Sequence, residues 1–303
     1  MAKHMIQPRK LAPGDRVAVV APGGPLDRER VEAGIQRLKA FGLEPVYDER
    51  LFAREAYLAG PDQQRLAILQ AALDDRSVRA VWAGRGGYGL TRILPQLRLR
   101  GLREDPKLVV GFSDVTALHS ALGALGIASV HGPNVGQLGE LTPAAQERLP
   151  VVLFSSVPSP PLVGATTLRP GAARGTLIGG NLTLLAALAG TGHLPSFAGA
   201  VLLLEDVAER PYRLDRSLTQ LRSSGAFTGL RGLALGAFTR CDDPESGFTA
   251  RQVFERLARD LELPAAIGFP VGHIDDNRAV LLGTEVELDA GRGTLAFLGG
   301  LSS

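Results

Sequence analysis

The sequence predicts an α/β protein: a Rossmann-like, mostly parallel sheet domain first, then a mixed α+β domain. Three observations predict this. The chain has 303 residues, too many for one small core. Short apolar, β-branched runs alternate with helical patterns through the first half. A proline-rich stretch at 155–174, with Pro158, Pro160, Pro161 and Pro170, then interrupts the pattern. The expected organisation is a first domain at 1–154, a linker or extended crossover without an element at 155–174, and a second domain at 175–303.

The elements follow in order. Residues 16–21 (RVAVVA) read as a buried strand, broken by Pro22, Gly23, Gly24 and Pro25. Val31, Ile35, Leu38 and Phe41 fall on one face of a helix at 27–41, which Gly42 ends. A strand at 44–47, a helix at 63–73 and a strand at 78–83 come next. A strand at 107–112 (KLVVGF) leads into a helix from Ser113 or Asp114 to about Leu125, then a strand at 128–131. In the second half Asn181 is placed as the N-cap of a helix reaching about Leu188. A strand at 200–204 ends in Glu205 and Asp206. A helix at 214–222, a strand at 232–238 and a helix at 250–261 follow. Three short antiparallel strands at 279–282, 285–288 and 294–297 close the chain, with Gly283 and Gly291 in the turns.

Composition excludes several classes. Apolar residues make up 45% of the chain, enough for large cores and unlike a disordered protein. Net charge is +2, and no basic stripe interleaved with aromatics suggests nucleic acid. The single cysteine, Cys241, forms no intramolecular disulfide and fits a reducing compartment. No window approaches the roughly 18 apolar residues of a membrane span. Lys3, Arg9, Lys10, Asp15 and Arg16 interrupt any leader-like apolar run. A cytoplasmic protein with no membrane partner is expected. The five histidines, His4, His119, His131, His193 and His273, show no ligand-pair spacing, so no metal is expected.

Four features carry possible chemistry. Gly84-Arg85-Gly86-Gly87-Tyr88-Gly89 matches a dinucleotide-binding G-x-G-x-x-G, but it follows the third strand, whereas that fingerprint follows the first. It reads equally as a tight turn, or as a loop whose exposed N–H groups bind something else. Ser113, two residues after Gly111 at a strand-to-helix turn, matches the first half of a nucleophile elbow, with Val115 where a second glycine would stand. The same serine could instead cap the helix. A nucleophilic serine needs a base. His119 lies too far along the following helix. His131 and His273, both at strand-end turns, remain contenders, and His193 sits in a Gly/Pro loop. Glu205, after an apolar strand, is either an orienting carboxylate or a strand terminator.

Taken together, these segments resemble the LD-carboxypeptidase family of serine peptidases. The resemblance rests on Val17-Ala18-Val19-Val20-Ala21-Pro22, Arg85-Gly86-Gly87-Tyr88-Gly89, Gly111-Phe112-Ser113-Asp114 and His131-Gly132-Pro133, then Gly179-Gly180-Asn181-Leu182, Leu204-Glu205-Asp206 and Gly272-His273. It runs from about Asp15 to Leu288. The resemblance implies a triad of Ser113, Glu205 and His273 at the interface of the two domains. It implies an oxyanion hole from backbone N–H groups at Asp114 and at Gly86 or Gly87. It also implies a cytoplasmic murein tetrapeptide substrate, release of its terminal D-alanine, no cofactor, and a homodimer. The self-immunity branch of the family instead hydrolyses an amide in a peptide–nucleotide antibiotic. An anionic peptide would want basic groups, and Arg85, Arg213 and Arg278, with Tyr88, are the substrate-binding candidates.

Overall fold

In the computed structural model, which describes residues 5–303, the alternating first half becomes one doubly wound sheet. His4 lies outside the described residues. Strand β1 (Arg16–Val20) is buried except at Arg16, as a strand covered on both faces should be. The chain continues through α1 (Arg28–Ala40), β2 (Glu44–Val46), α2 (Asp62–Asp74), β3 (Val78–Ala83) and the single turn α3 (Leu90–Ile93). Then come β4 (Leu108–Gly111), α4 (Thr116–Leu125), β5 (Ser129–His131) and α5 (Pro143–Phe154). The strands lie in the order β2-β1-β3-β4-β5, all parallel. The winding reverses between β1 and β3, and open sheets bind ligands beyond the carboxyl ends of their strands at such a point.

Local chemistry explains the elements. The Asp27 carboxylate accepts the Arg30 N–H at 3.1 Å and starts α1, whose buried face is Val31, Gly34, Ile35 and Leu38. Gly126, in the left-handed region at φ +78°, ends α4. Helix α5 escapes the sequence pattern because Pro150 sits inside it, which ordinarily argues against a helix. Thr142 caps it, and Leu149, Val152 and Leu153 bury its inner face.

The second sheet follows with β6 (Thr166–Arg169), β7 (Ala172–Asn181), α6 (Leu182–Ala187), β8 (Ala200–Val207), α7 (Pro211–Ser223), β9 (Gly232–Thr239), α8 (Ala250–Asp260) and β10 (Ala265–Ile267). Three short strands finish the chain: β11 (Val280–Leu282), β12 (Glu285–Asp289) and β13 (Thr294–Phe297). The order is β13-β12-β7-β8-β9-β10-β6, with β7 to β10 parallel and the outer strands antiparallel. Leu182, Leu214, Leu218, Phe254 and Leu257 pack the helices onto one face.

Three expectations need correcting. The proline-rich stretch contains an element: β6 pairs antiparallel with β10, since Thr166 to Arg169 lie between the prolines and keep their donors. The three terminal strands do not form one group. Strand β11 pairs antiparallel with β5 and becomes the edge of the first sheet, while β12 and β13 stay with the second. A three-residue run such as Val280–Leu282 carries no signal of its partner. Strand β8 does not stop at Leu204 but runs on through Glu205 and Asp206 to Val207.

The two sheets meet closely. The Thr116 hydroxyl on α4 accepts the Asn181 N–H at the end of β7, at 3.0 Å. A side chain at Gly180 would place its first carbon 2.6 Å from that hydroxyl, so only glycine permits this approach. Among the described residues no helix is long and apolar enough to cross a membrane.

Candidate active site

Ser113 stands immediately after β4, and its backbone is unusual. Its φ is +66°, in the left-handed region that costs a non-glycine residue roughly 1–3 kcal/mol and recurs at functional turns. Its surroundings hold it there. The Phe112 N–H is accepted by the Asn134 side chain at 3.3 Å, and Phe112 itself is buried. The helix-cap reading fails, because the short turn at residues 113–115 is preceded by Phe112 and has no side-chain cap. The Ser113 hydroxyl instead lies 3.1 Å from His273 Nε2.

His273 comes from the second half of the chain, in the loop after β10. Its Nδ1 is 2.7 Å from Glu205 Oε2. A carboxylate can only accept, so Nδ1 carries the proton and Nε2 presents a lone pair to Ser113. The Phe112 ring packs beside the imidazole at 4.8 Å between centroids, and the His273 carbonyl accepts the Thr239 hydroxyl at 2.8 Å. Gly272 makes the approach possible. Its φ is +117°, and an added first carbon would lie 2.7 Å from Glu205 Oε2.

Glu205 is fully buried within β8, at a register shift against β9 between Leu204 and Asp206. Such bulges re-aim a side chain. Burial alone would raise its carboxyl; His131 and His273, on either side, outweigh burial and draw it down to about 2. His131 Nε2 lies 3.9 Å from Glu205 Oε1, too far for a hydrogen bond but close enough for electrostatic influence.

The glycine loop forms the opposite wall. A side chain at Gly86 would put its first carbon 2.6 Å from Ser113 Cβ. The Gly86 carbonyl accepts the Gly24 N–H at 2.8 Å, stitching the loop after β3 to the loop after β1. Buried Arg65 reinforces the stitch by donating to the carbonyls of Pro22 and Gly89 and pairing with Asp62. The Asp114 side chain is buried and accepts the Leu90 N–H at 2.9 Å; burial pushes its carboxyl up to about 6. A cavity of about 580 Å³ opens over Ser113, His273, Gly86 and Arg85.

Comparisons with known proteins place the chain in a family. Residues 17–132 match the LD-carboxypeptidase N-terminal domain, and residues 174–288 match the LD-carboxypeptidase C-terminal domain. The chain belongs to the LD-carboxypeptidase family. The murein tetrapeptide carboxypeptidase of Pseudomonas aeruginosa is 37% identical over 91% of this chain and 94% of its own. The crystal structure of muramoyltetrapeptide carboxypeptidase from Oxalobacter formigenes superposes with a TM-score of 0.84 at 31% identity, covering 95% of this chain and 99% of that one. The microcin C7 self immunity protein superposes with a TM-score of 0.89 over 98% of this chain and 100% of its own, at 19% identity, and so shares the fold. The family model and the names of these relatives support a serine carboxypeptidase.

Other candidate residues of this family member lie as follows. Arg85 and Gly87 line the cleft, and Tyr88 stands just outside it. Arg213 is exposed on α7, where it pairs with Glu209 and lies over the Tyr212 ring; Arg278 pairs with Asp276 at 2.8 Å. Neither lines the cleft. His119 is buried in α4 and neutral, its Nε2 donating to the Gly111 carbonyl and its Nδ1 meeting the Ser129 hydroxyl, both at 2.8 Å. Burial pushes its imidazole down to about 3. His193 stays in its loop. Sequence reasoning missed Asn134 and Arg65, which steady the loops without any motif to mark them, and Arg30 at the cleft wall.

Proposed function

We propose that this chain is a serine-type LD-carboxypeptidase that removes the terminal D-alanine from murein tetrapeptide. The observation that carries the reading is the continuous contact from the Ser113 hydroxyl through His273 to Glu205. Ser113 attacks the carbonyl of the last peptide bond while His273 Nε2 takes its proton. The tetrahedral oxyanion is met by the N–H of Asp114 and that of Gly86 or Gly87. As the intermediate collapses, His273 passes the proton to the departing amine and Ser113 keeps the acyl group as an ester. Water, deprotonated by His273, then releases the shortened peptide as a carboxylate. Glu205 holds the imidazole tautomer and stabilises its charged form. A positioned base contributes roughly 10²–10⁴ in rate, and one oxyanion donor roughly 10²–10³.

The likeness to enzymes named for murein tetrapeptide supports this substrate. Likeness to the self immunity protein extends to the fold alone. The only tryptophan, Trp82, is fully buried with its N–H on the Pro133 carbonyl at 2.8 Å, so it offers no stacking face to a nucleobase. The reading places the reaction in the cytoplasm, within peptidoglycan recycling, and in a homodimer. Purified protein should release D-alanine from L-Ala-γ-D-Glu-meso-diaminopimelyl-D-Ala with no added cofactor and in the presence of a chelator. Full activity in Ser113→Ala would end the reading.

A further inference from the structure

We propose that a bay beside the catalytic cleft, formed by Tyr57, Tyr88, Arg54 and Arg85, is a substrate subsite that binds a carboxylate of the peptide. The inference rests on the peptidase reading and adds to it the place where an anionic substrate is gripped.

The bay brings two exposed aromatic rings and two arginines together. Tyr57 is 61% exposed and Tyr88 48%, their ring centroids 6.0 Å apart and tilted by 45°. Large, exposed, adjacent tyrosines are characteristic of binding surfaces. Tyr57 is also held in place. It sits in a turn closed by two backbone hydrogen bonds between Glu55 and Leu58, at 3.0 and 2.9 Å. The preceding Ala56 is in the left-handed region at φ +52°, a strain of roughly 1 kcal/mol or more that persists only where surrounding contacts impose the backbone conformation. The Ala59 N–H donates to the Gly23 carbonyl at 3.0 Å and ties this turn to the loop beside the glycine wall.

Charge points to the ligand. Nearby arginines are neutralised: Arg50 pairs with Asp48, and Arg92 with Asp62. Arg54 and Arg85 have no carboxylate partner among the described residues, and Arg85 makes one hydrogen bond, to the Pro25 carbonyl at 2.9 Å. Two unpaired guanidinium groups beside two aromatic faces suit a carboxylate carried on an apolar or ring-bearing flank. Continuity places the ligand: Arg85 and Gly87 line both the bay and the cleft that holds Ser113, so one extended peptide can occupy both. The carboxylate belongs either to the departing residue or to a residue further along the peptide.

The test is steady-state kinetics on the full chain with the tetrapeptide and with its C-terminal amide, the amide used as substrate or competitor. Arg54→Gln and Tyr57→Ala should each raise KM about tenfold, the scale of one lost charge-assisted contact, with a smaller change in kcat. Arg98→Gln, a remote charge loss, should match wild type. If the Arg54→Gln penalty vanishes on the amide, the bay reads the departing residue's carboxylate; if it persists, an internal one. Tetrapeptide KM within twofold of wild type in both variants overturns the subsite and leaves the peptidase reading standing. Unchanged kinetics with a lowered oligomer mass in Tyr57→Ala would assign the bay to a second copy of the chain instead. Absence of D-alanine release by the wild-type protein would end both.

Discussion

The two sheets furnish one site by opposite means. The first presents its serine on a turn after a parallel strand, with the backbone forced into a left-handed conformation and glycine loops crowded around it. The second presents its carboxylate from inside a strand, at a bulge, and its histidine from a loop that a glycine brings against that carboxylate. The contrast extends to charge. Asp114 and Glu205 are both buried beside the site, yet burial raises Asp114 to about 6, while the histidines that flank Glu205 hold it near 2. One Asp114 oxygen accepts the Leu90 N–H, and the other has no partner among the described residues. Burial sets the penalty for a charge, and the partners decide whether the charge survives it.

That contrast can be broken in order of effect. Glu205→Gln leaves the shape but removes the charge that fixes the tautomer, and kcat should fall roughly 10³–10⁴-fold with KM little changed. Gly86→Ala drives a methyl against Ser113, and a misplacement near 1 Å should lower kcat roughly 10²-fold while the fold survives, as circular dichroism would verify. The two carboxylates should also oppose each other in pH-dependent unfolding. The Glu205 carboxyl is held below its ordinary 4.5, so its stabilisation is present above that value and is lost as pH falls from 4.5 towards about 2. The Asp114 carboxyl is raised above its ordinary 3.8, so its stabilisation is present below 3.8 and is lost as pH rises through about 6. Asp114→Asn should therefore flatten the melting-temperature profile between pH 4 and 6. An unchanged slope there would show that the Asp114 side chain is more solvated than its packing implies.

Much of the first sheet was legible because β1, β3 and β4 are apolar runs bounded by turn residues, and their spacing is set by local helices. Partnership across the chain was not legible. Nothing in Val280–Leu282 says that it will edge the first sheet, and nothing in the prolines around β6 marks its pairing with β10. At the site, Ser113 alone was ambiguous between cap and nucleophile, since both occupy the same strand-to-helix turn. Its positive φ, which separates the two, is a property of packing by Gly86, Phe112 and Asn134 and not of local sequence. His131 illustrates the reverse: its strand-end position made it a contender for base, but the fold buries it behind Glu205, away from the cleft.

The central claim is that a hydroxyl from one sheet and an imidazole and carboxylate from the other act as a unit. Turnover of the tetrapeptide by Ser113→Ala, His273→Ala and the double variant measures this directly. The account predicts that the double variant is about as impaired as either single one, because each removes the same proton-transfer step. Losses that multiply, with the two residues contributing independently, would contradict it.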